Sequence, residues 1–272
     1  MADSPATKAP VDLSPVCRRL VGRTAVITGA GGGTGLAVAR RLAAEGARVV
    51  CADLDEKAGR AAARAVGGLF VHTDVRDPAM VEALFDEAYE TCGSVDVAVN
   101  HVTLPPPAHE AGGAPADGPA AWHRVQEATL TAVHLCCWAA LPYMRRHGRG
   151  SIVNTVGFVA RTEVAAAQIA YAAARGGVLA MSRELGVQFA REGIRVNALS
   201  PGPVGAPASG GLPAVDPAAD ARRPGWIPLG RLAAPEEIAA AAAFLASDDA
   251  SFVTAGEFLV DGGISGAALT AR

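Results

Sequence analysis

The chain has 272 residues; half are hydrophobic, 19% are charged, and the net charge is −3. That length fits one large α/β domain or two small ones. The near balance of charge leaves no electrostatic ground for binding nucleic acid or an anionic membrane, and no apolar run reaches the ~18 residues needed to span a bilayer.

Residues 1–20 hold three prolines and no apolar signal-peptide core, so a flexible leader is expected there, ahead of one domain over 21–272. The first predicted strand is Thr24–Thr28. It runs through Gly29-Ala30-Gly31-Gly32-Gly33-Thr34-Gly35 into an apolar helical pattern that begins near Leu36. A strand passing through glycines into a helix start is how a parallel α/β sheet holds a pyrophosphate. Backbone N–H groups come close to the phosphates, and the helix N-terminus carries about half a positive charge. Alone, such a run is equally an ordinary tight turn. Its context argues for a nucleotide: the second strand, Ala47–Ala52, ends on Asp53, 18 residues after Gly35. A spacing of about 20 suits a carboxylate that grips ribose hydroxyls.

Further strands are predicted at Leu69–His72, Val95–Val99, Ser151–Asn154, Ile194–Leu199 and Phe258–Val260, with helical patterns near 34–45, 56–66, 78–92, 119–147, 164–191 and 235–247. Apolar strands alternating with helices mean a doubly wound parallel sheet covered on both faces. Asp74-Val75 follows strand three. Its carboxylate offers an acceptor for the amino group of adenine, or a helix cap, a role that Asp77 before Pro78 fills better. Asn100 ends strand four, where it would bridge backbone groups beneath a cofactor. Two loops, 104–121 and 201–230, are rich in Pro, Gly and Ala. The first is a rim or partner surface; the second follows strand six at the edge where ligands bind and is expected to be a substrate lid. Plain surface connection is the alternative for both. The five cysteines, Cys17, Cys51, Cys92, Cys136 and Cys137, show no metal-ligand spacing; their odd number points to reduced thiols and a cytoplasmic protein.

Over about residues 20–265 the chain resembles the short-chain dehydrogenase/reductase family. The resemblance is carried by Thr28-Gly29-Ala30-Gly31-Gly32-Gly33-Thr34-Gly35, Asp74, Asp96-Val97-Ala98-Val99-Asn100, the helix from Tyr171 to Arg175, Arg195-Val196-Asn197-Ala198-Leu199-Ser200-Pro201-Gly202, and Val260-Asp261-Gly262-Gly263. It implies a Rossmann-like doubly wound sheet of seven strands, a nicotinamide cofactor, and a homotetramer or homodimer. It also implies cofactor contacts from Gly29, Gly31, Gly33, Thr34, Gly35, Asp53, Asp74, Val75, Asn100, Tyr171, Arg175, Pro201, Gly202 and Val204. Asp53 resembles the acid of members that prefer NAD. A 2′-phosphate would meet its carboxylate with no Arg or Lys in the glycine loop or just after Asp53, so NAD is favoured over NADP.

Family members act with Asn, Ser, Tyr and Lys, and this chain departs at three of the four. Tyr171 is kept as the proton-passing phenol. Arg175 replaces the lysine four residues on, on the same helix face; it keeps the positive charge but is planar and cannot give up its proton. Val156 and Gly157 stand where the family has serine. Thr155 is the nearest hydroxyl, although strand alternation can turn it to the other face. Thr129 holds the place of the asparagine, Thr103 that of a glycine after strand four, and Ala206 that of a threonine beyond the Pro-Gly. His101, at the end of strand four, is a candidate proton donor with a near-neutral pKa; His134 reads as a packed or interface residue.

The departures cluster at the substrate end, while the adenine and phosphate end is intact. The expected activity is NAD(H)-dependent interconversion of a ketone and a secondary alcohol, with Tyr171, Arg175 and Thr155 as the catalytic set. The alternatives are a non-redox elimination, cyclisation or epimerisation of a biosynthetic intermediate, and a non-catalytic dinucleotide-binding protein. Tyr with Arg four residues on also resembles the halohydrin dehalogenases, but those lack the glycine motif kept here and use a serine absent here.

Overall fold

The computed structural model describes residues 17–102, 118–160, 169–205 and 223–267. Seven strands form one sheet: β1 Thr24–Thr28, β2 Arg48–Asp53, β3 Leu69–His72, β4 Val97–Asn100, β5 Gly150–Thr155, β6 Ile194–Pro201 and β7 Glu257–Val260. All neighbouring pairs are parallel, in the order β3-β2-β1-β4-β5-β6-β7. The helices are α1 Gly33–Ala44, α2 Glu56–Val66, α3 Pro78–Cys92, α4 Pro119–Gln126, α5 Ala132–His147, α6 Ile169–Gln188 and α7 Pro235–Ala246.

Strand alternation divides the core. In β1, Val26 packs on one face with Phe85 of α3, Met144 of α5 and Val178 of α6. Ala25 and Ile27 face the other way, against Leu42 of α1 and Ile238 and Leu245 of α7. The central strands β1 and β4 are buried along their whole length: their middles are apolar, and the polar residues at their ends, Thr24, Thr28 and Asn100, are hydrogen-bonded. The strand order reverses between β1 and β4, and the crevice above their carboxyl ends is where an open α/β sheet takes its ligand.

Two expectations need correction. The leader does not run to residue 20. Leu20 is buried in the α1 core, and Arg19 forks onto Glu45 at the end of α1, its Nε and Nη2 each donating at 2.6 Å. Nor is the stretch 119–147 one regular helix: residues Glu127–Thr131 form a wider turn, in which the Ala132 N–H reaches back to the Glu127 carbonyl. Among the described residues no helix is long and apolar enough to cross a membrane.

Ala255 is the only described non-glycine residue with a positive φ, at 57°. A left-handed alanine costs about 1–2 kcal/mol, while glycine there costs about 0.4–1 kcal/mol through the freedom of the unfolded chain. Ala255→Gly is therefore expected to raise the melting temperature by about 2 °C. A fall on a calorimetric scan would show that the strain is not relieved.

Candidate active site

A cleft of about 290 Å³ lies at the β1/β4 switch point. It gathers Gly29, Gly31, Asp53, Asp74 and Val75 from the expected cofactor set, together with His101 and Val102 beyond β4. Gly29 has φ +63°, and a Cβ there would collide with the His101 carbonyl. A Cβ at Gly31 would stand 2.7 Å from Asp53 Oδ2, the atom to which the Gly31 N–H donates at 2.7 Å. The glycine turn and the acid at the end of β2 are thus one unit, and side chains on the turn would break it. Thr28 ties the floor together by accepting from the His101 N–H at 3.0 Å.

Helix α1 starts from Gly32 with no side-chain cap. Its first N–H groups therefore remain for a ligand anion. Gly33 and Thr34 form that first turn, and Gly35 lies flat against the backbone of Gly29. Asp53 Oδ1 also accepts from the Asp55 N–H at 2.9 Å. These groups suit the phosphates and ribose of a dinucleotide, since uncapped N–H donors would take an anion and a carboxylate would take hydroxyls.

Asn100 does not join them. Its side chain is buried, and its amide donates to Asn154 Oδ1 at 2.8 Å; the Asn154 amide in turn donates to Ser182 Oγ at 2.9 Å. It cross-links β4, β5 and α6 inside the core, away from the cleft lining. Pro201 and Gly202 lie against β7, where a Cβ on Gly202 would come within 2.6 Å of Asp261 Cα; Val204 bridges to Ala233. Thr103 and Ala206 fall outside the described residues, as do most of both expected loops, including 206–222 of the lid.

At the substrate end, Arg175 is buried, and its guanidinium carbon sits 4.9 Å from the centroid of the Tyr171 ring. Its Nη1 donates to the Thr155 carbonyl at 2.6 Å and its Nη2 to the Val102 carbonyl at 2.8 Å. Among the described residues it makes no ion pair with a carboxylate. The fork joins the ends of β4 and β5 through their backbones, a role that the planar side chain suits. Thr155 therefore meets Arg175 through its carbonyl. Gly157 has φ +86° with open space at its Cβ position. His101 departs from the near-neutral expectation: burial, helped by the Arg175 charge, pushes its pKa down to about 4. At neutral pH it is therefore an uncharged imidazole, not the imidazolium donor expected.

Thr129 lies in the widened turn, fully buried, with no hydrogen-bond partner for its hydroxyl. An orphaned buried hydroxyl is unfavourable, so the isosteric Thr129→Val is expected to raise stability by about 1 kcal/mol. A thermal melt checks this; destabilisation would reveal a bonding partner for the hydroxyl.

Sequence reasoning missed Arg76, Leu54 and Ala128 in the cleft lining. Arg76 was legible as a cation two residues after Asp74, but only the turn at 74–77 brings it back to that acid. A second hollow, of about 430 Å³, lies beyond β6 and β7 between Pro203, Leu229, Arg231 and Asp261, apart from the glycine turn.

Residues 29–265 match a family described as enoyl-(acyl carrier protein) reductase. The chain is 44% identical over 248 residues to cis-4-hydroxycyclohexanecarboxylate dehydrogenase of Sinomonas cyclohexanicum, covering 89% of this chain and 96% of that one. It is 34% identical over 255 residues to a 2,5-dichloro-2,5-cyclohexadiene-1,4-diol dehydrogenase of Sphingobium indicum, covering 92% and 99%. The crystal structure of levodione reductase superposes with a TM-score of 0.85 at 33% identity, covering 92% of this chain and all of that one. A glycine turn locked to the acid of the second strand, a seven-stranded doubly wound sheet and these full-length similarities agree: the chain belongs to the short-chain dehydrogenase/reductase family and is an oxidoreductase.

Proposed function

We propose that this protein is an NAD(H)-dependent oxidoreductase that interconverts a ketone and a secondary alcohol, with Tyr171 as its acid–base group and Arg175 as the fixed charge beside it. The observation that carries the reading is the single cleft uniting Gly29, Gly31, Asp53 and Asp74 at the switch point. A nicotinamide dinucleotide held by those groups supplies the hydride chemistry that side chains lack. The remaining steps belong to the chain. The Tyr171 phenol gives a proton to the oxygen as a ketone is reduced and takes it back as an alcohol is oxidised. The permanent charge of Arg175 is held over the ring, 4.9 Å from its centroid. Thr155, at the end of β5, is the hydroxyl assigned to hold the substrate oxygen.

NAD is preferred over NADP in this reading. Asp53 faces the ribose side, and the Arg76 side chain in the same cleft is engaged by Asp74. The names of the two dehydrogenase relatives, both acting on ring-borne alcohols, favour an alicyclic secondary alcohol as substrate. Part-exposed Phe258 and Leu259 on edge strand β7 favour pairing with a second copy in a homodimer or homotetramer. The five free cysteines accord with a cytoplasmic setting.

Oxidation of 4-hydroxycyclohexanecarboxylate and a panel of cyclic alcohols, followed as NADH absorbance with NAD and with NADP, tests the proposal. Turnover with NAD, and little with NADP, is the expected result. Product formed without any change in cofactor absorbance would replace it with a non-redox reaction.

A further inference from the structure

Three carboxylates line the cleft, those of Asp53, Asp55 and Asp74, and Arg76 is the one cation among the lining residues. Arg76 is held tightly. Its Nε donates to Asp74 Oδ1 at 2.9 Å, its Nη2 to Oδ2 at 2.6 Å, and its backbone N–H to Oδ1 at 3.0 Å. A guanidinium that engages both oxygens of a carboxylate fixes the plane of that carboxylate as well as its charge. Side-chain rotation of Asp74 is thereby restricted, and its remaining lone pairs are biased toward set directions. The Arg76 hydrogen bonds also hold the Asp74 carboxyl below the usual range, with His72 nearby adding to the effect. Glu127, on the widened turn, is the other charge that bears on Arg76.

An ionised carboxylate only accepts hydrogen bonds. In a fixed orientation it rewards a base edge that donates and opposes one that accepts. We propose that Arg76 is a positioning residue for base recognition: by fixing Asp74 as an oriented acceptor, it makes the cleft select a dinucleotide whose purine carries a 6-amino group over one that carries a 6-oxo group. The inference deepens the reading of the cleft as a dinucleotide site and rests on it. It assigns a role to a residue outside the glycine motif and the Tyr171 centre.

The test is binding rather than turnover. Dissociation constants of NADH and of its 6-oxo analogue, reduced nicotinamide hypoxanthine dinucleotide, are measured by nicotinamide fluorescence on the full-length wild type, R76Q, R76K and D74N. Wild type is expected to prefer NADH by roughly tenfold or more, the worth of one hydrogen bond to a charged acceptor. In R76Q that preference should shrink to about threefold or less as Asp74 turns freely, with R76K between the two and D74N indifferent, because an amide offers both a donor and an acceptor. Arg76 is exposed, so these variants keep the fold, and equal melting temperatures confirm it. A base preference unchanged in R76Q overturns the role of Arg76, and one unchanged in D74N overturns that of Asp74. A wild type that binds neither dinucleotide overturns the reading of the cleft itself, which is a distinct outcome.

Discussion

Tyr171→Phe is expected to lower turnover by roughly 10²–10⁴-fold, the usual contribution of a positioned acid–base group. The substitution is selective because of what it leaves in place. The phenyl ring still packs against Val125, Ala170 and Ala174, and the Arg175 guanidinium still has a ring to face. Only the hydroxyl is lost. Melting temperature should hold, and NADH affinity should fall far less than turnover. Arg175→Lys separates the two functions of its own site: it keeps a charge beside the phenol but gives up the fork onto the Thr155 and Val102 carbonyls. Turnover unchanged in Tyr171→Phe would move the acid–base role elsewhere. His101 would be a poor candidate, since a group with a pKa of about 4 is uncharged at neutral pH.

The second large effect concerns stability. The Glu45 side chain is fully buried, and its two oxygens receive three guanidinium N–H bonds, two from Arg19 and one from Arg41 at 2.7 Å. Glu45→Gln removes the buried charge that Arg19 and Arg41 share, although Arg19 keeps Asp249, and is expected to cost about 3 kcal/mol. For a chain of this size that lowers the melting temperature by roughly 6–12 °C. Arg19→Ala should cost less, because Arg41 remains to face the carboxylate. A Glu45→Gln protein that melts within about 2 °C of wild type would show that the network contributes little.

The same carboxylate gives stability an acid limb. Burial opposes its ionisation, but the hydrogen bonds from Arg19 and Arg41 outweigh that and hold its carboxyl below the ordinary range. A group whose folded pKa is depressed contributes fully above its unfolded value, about 4.3, and loses that contribution as pH falls through the folded value. Melting temperature should therefore be flat from about pH 8 to 5 and drop below about pH 4, with a shallower drop in Glu45→Gln. Asp96, held down by Ser94, Thr24 and Arg149 against the effect of burial, adds to the same limb.

Much of this molecule was readable one residue after another. The glycine turn, the acid closing the second strand and the alternation of strands with helices are local patterns. Each has a local cause: positive φ at Gly29, a carboxylate at the end of β2 in Asp53, and the two-residue period that divides Val26 from Ala25 and Ile27. Strand positions were legible to within two residues because apolar runs buried on both faces leave little freedom. The widened turn at Glu127–Thr131 was not, since the phase shift of about 100° that one extra residue brings is hard to tell from ordinary scatter in so alanine-rich a helix.

What the amino-acid order determined by itself was the doubly wound parallel architecture, the glycine turn after β1 and the identity of the residues at each strand end. What only the tertiary structure decided was which of those residues face the cleft. Asn100 turns to Asn154, 54 positions away, and Arg19 to Glu45, 26 positions away. His101 is discharged by burial and by Arg175 from α6, and Asp74 is gripped by Arg76. The physical reason is common to all four. Periodicity states the face on which a side chain lies, but desolvation and charge pairing depend on which other chain segments close over it.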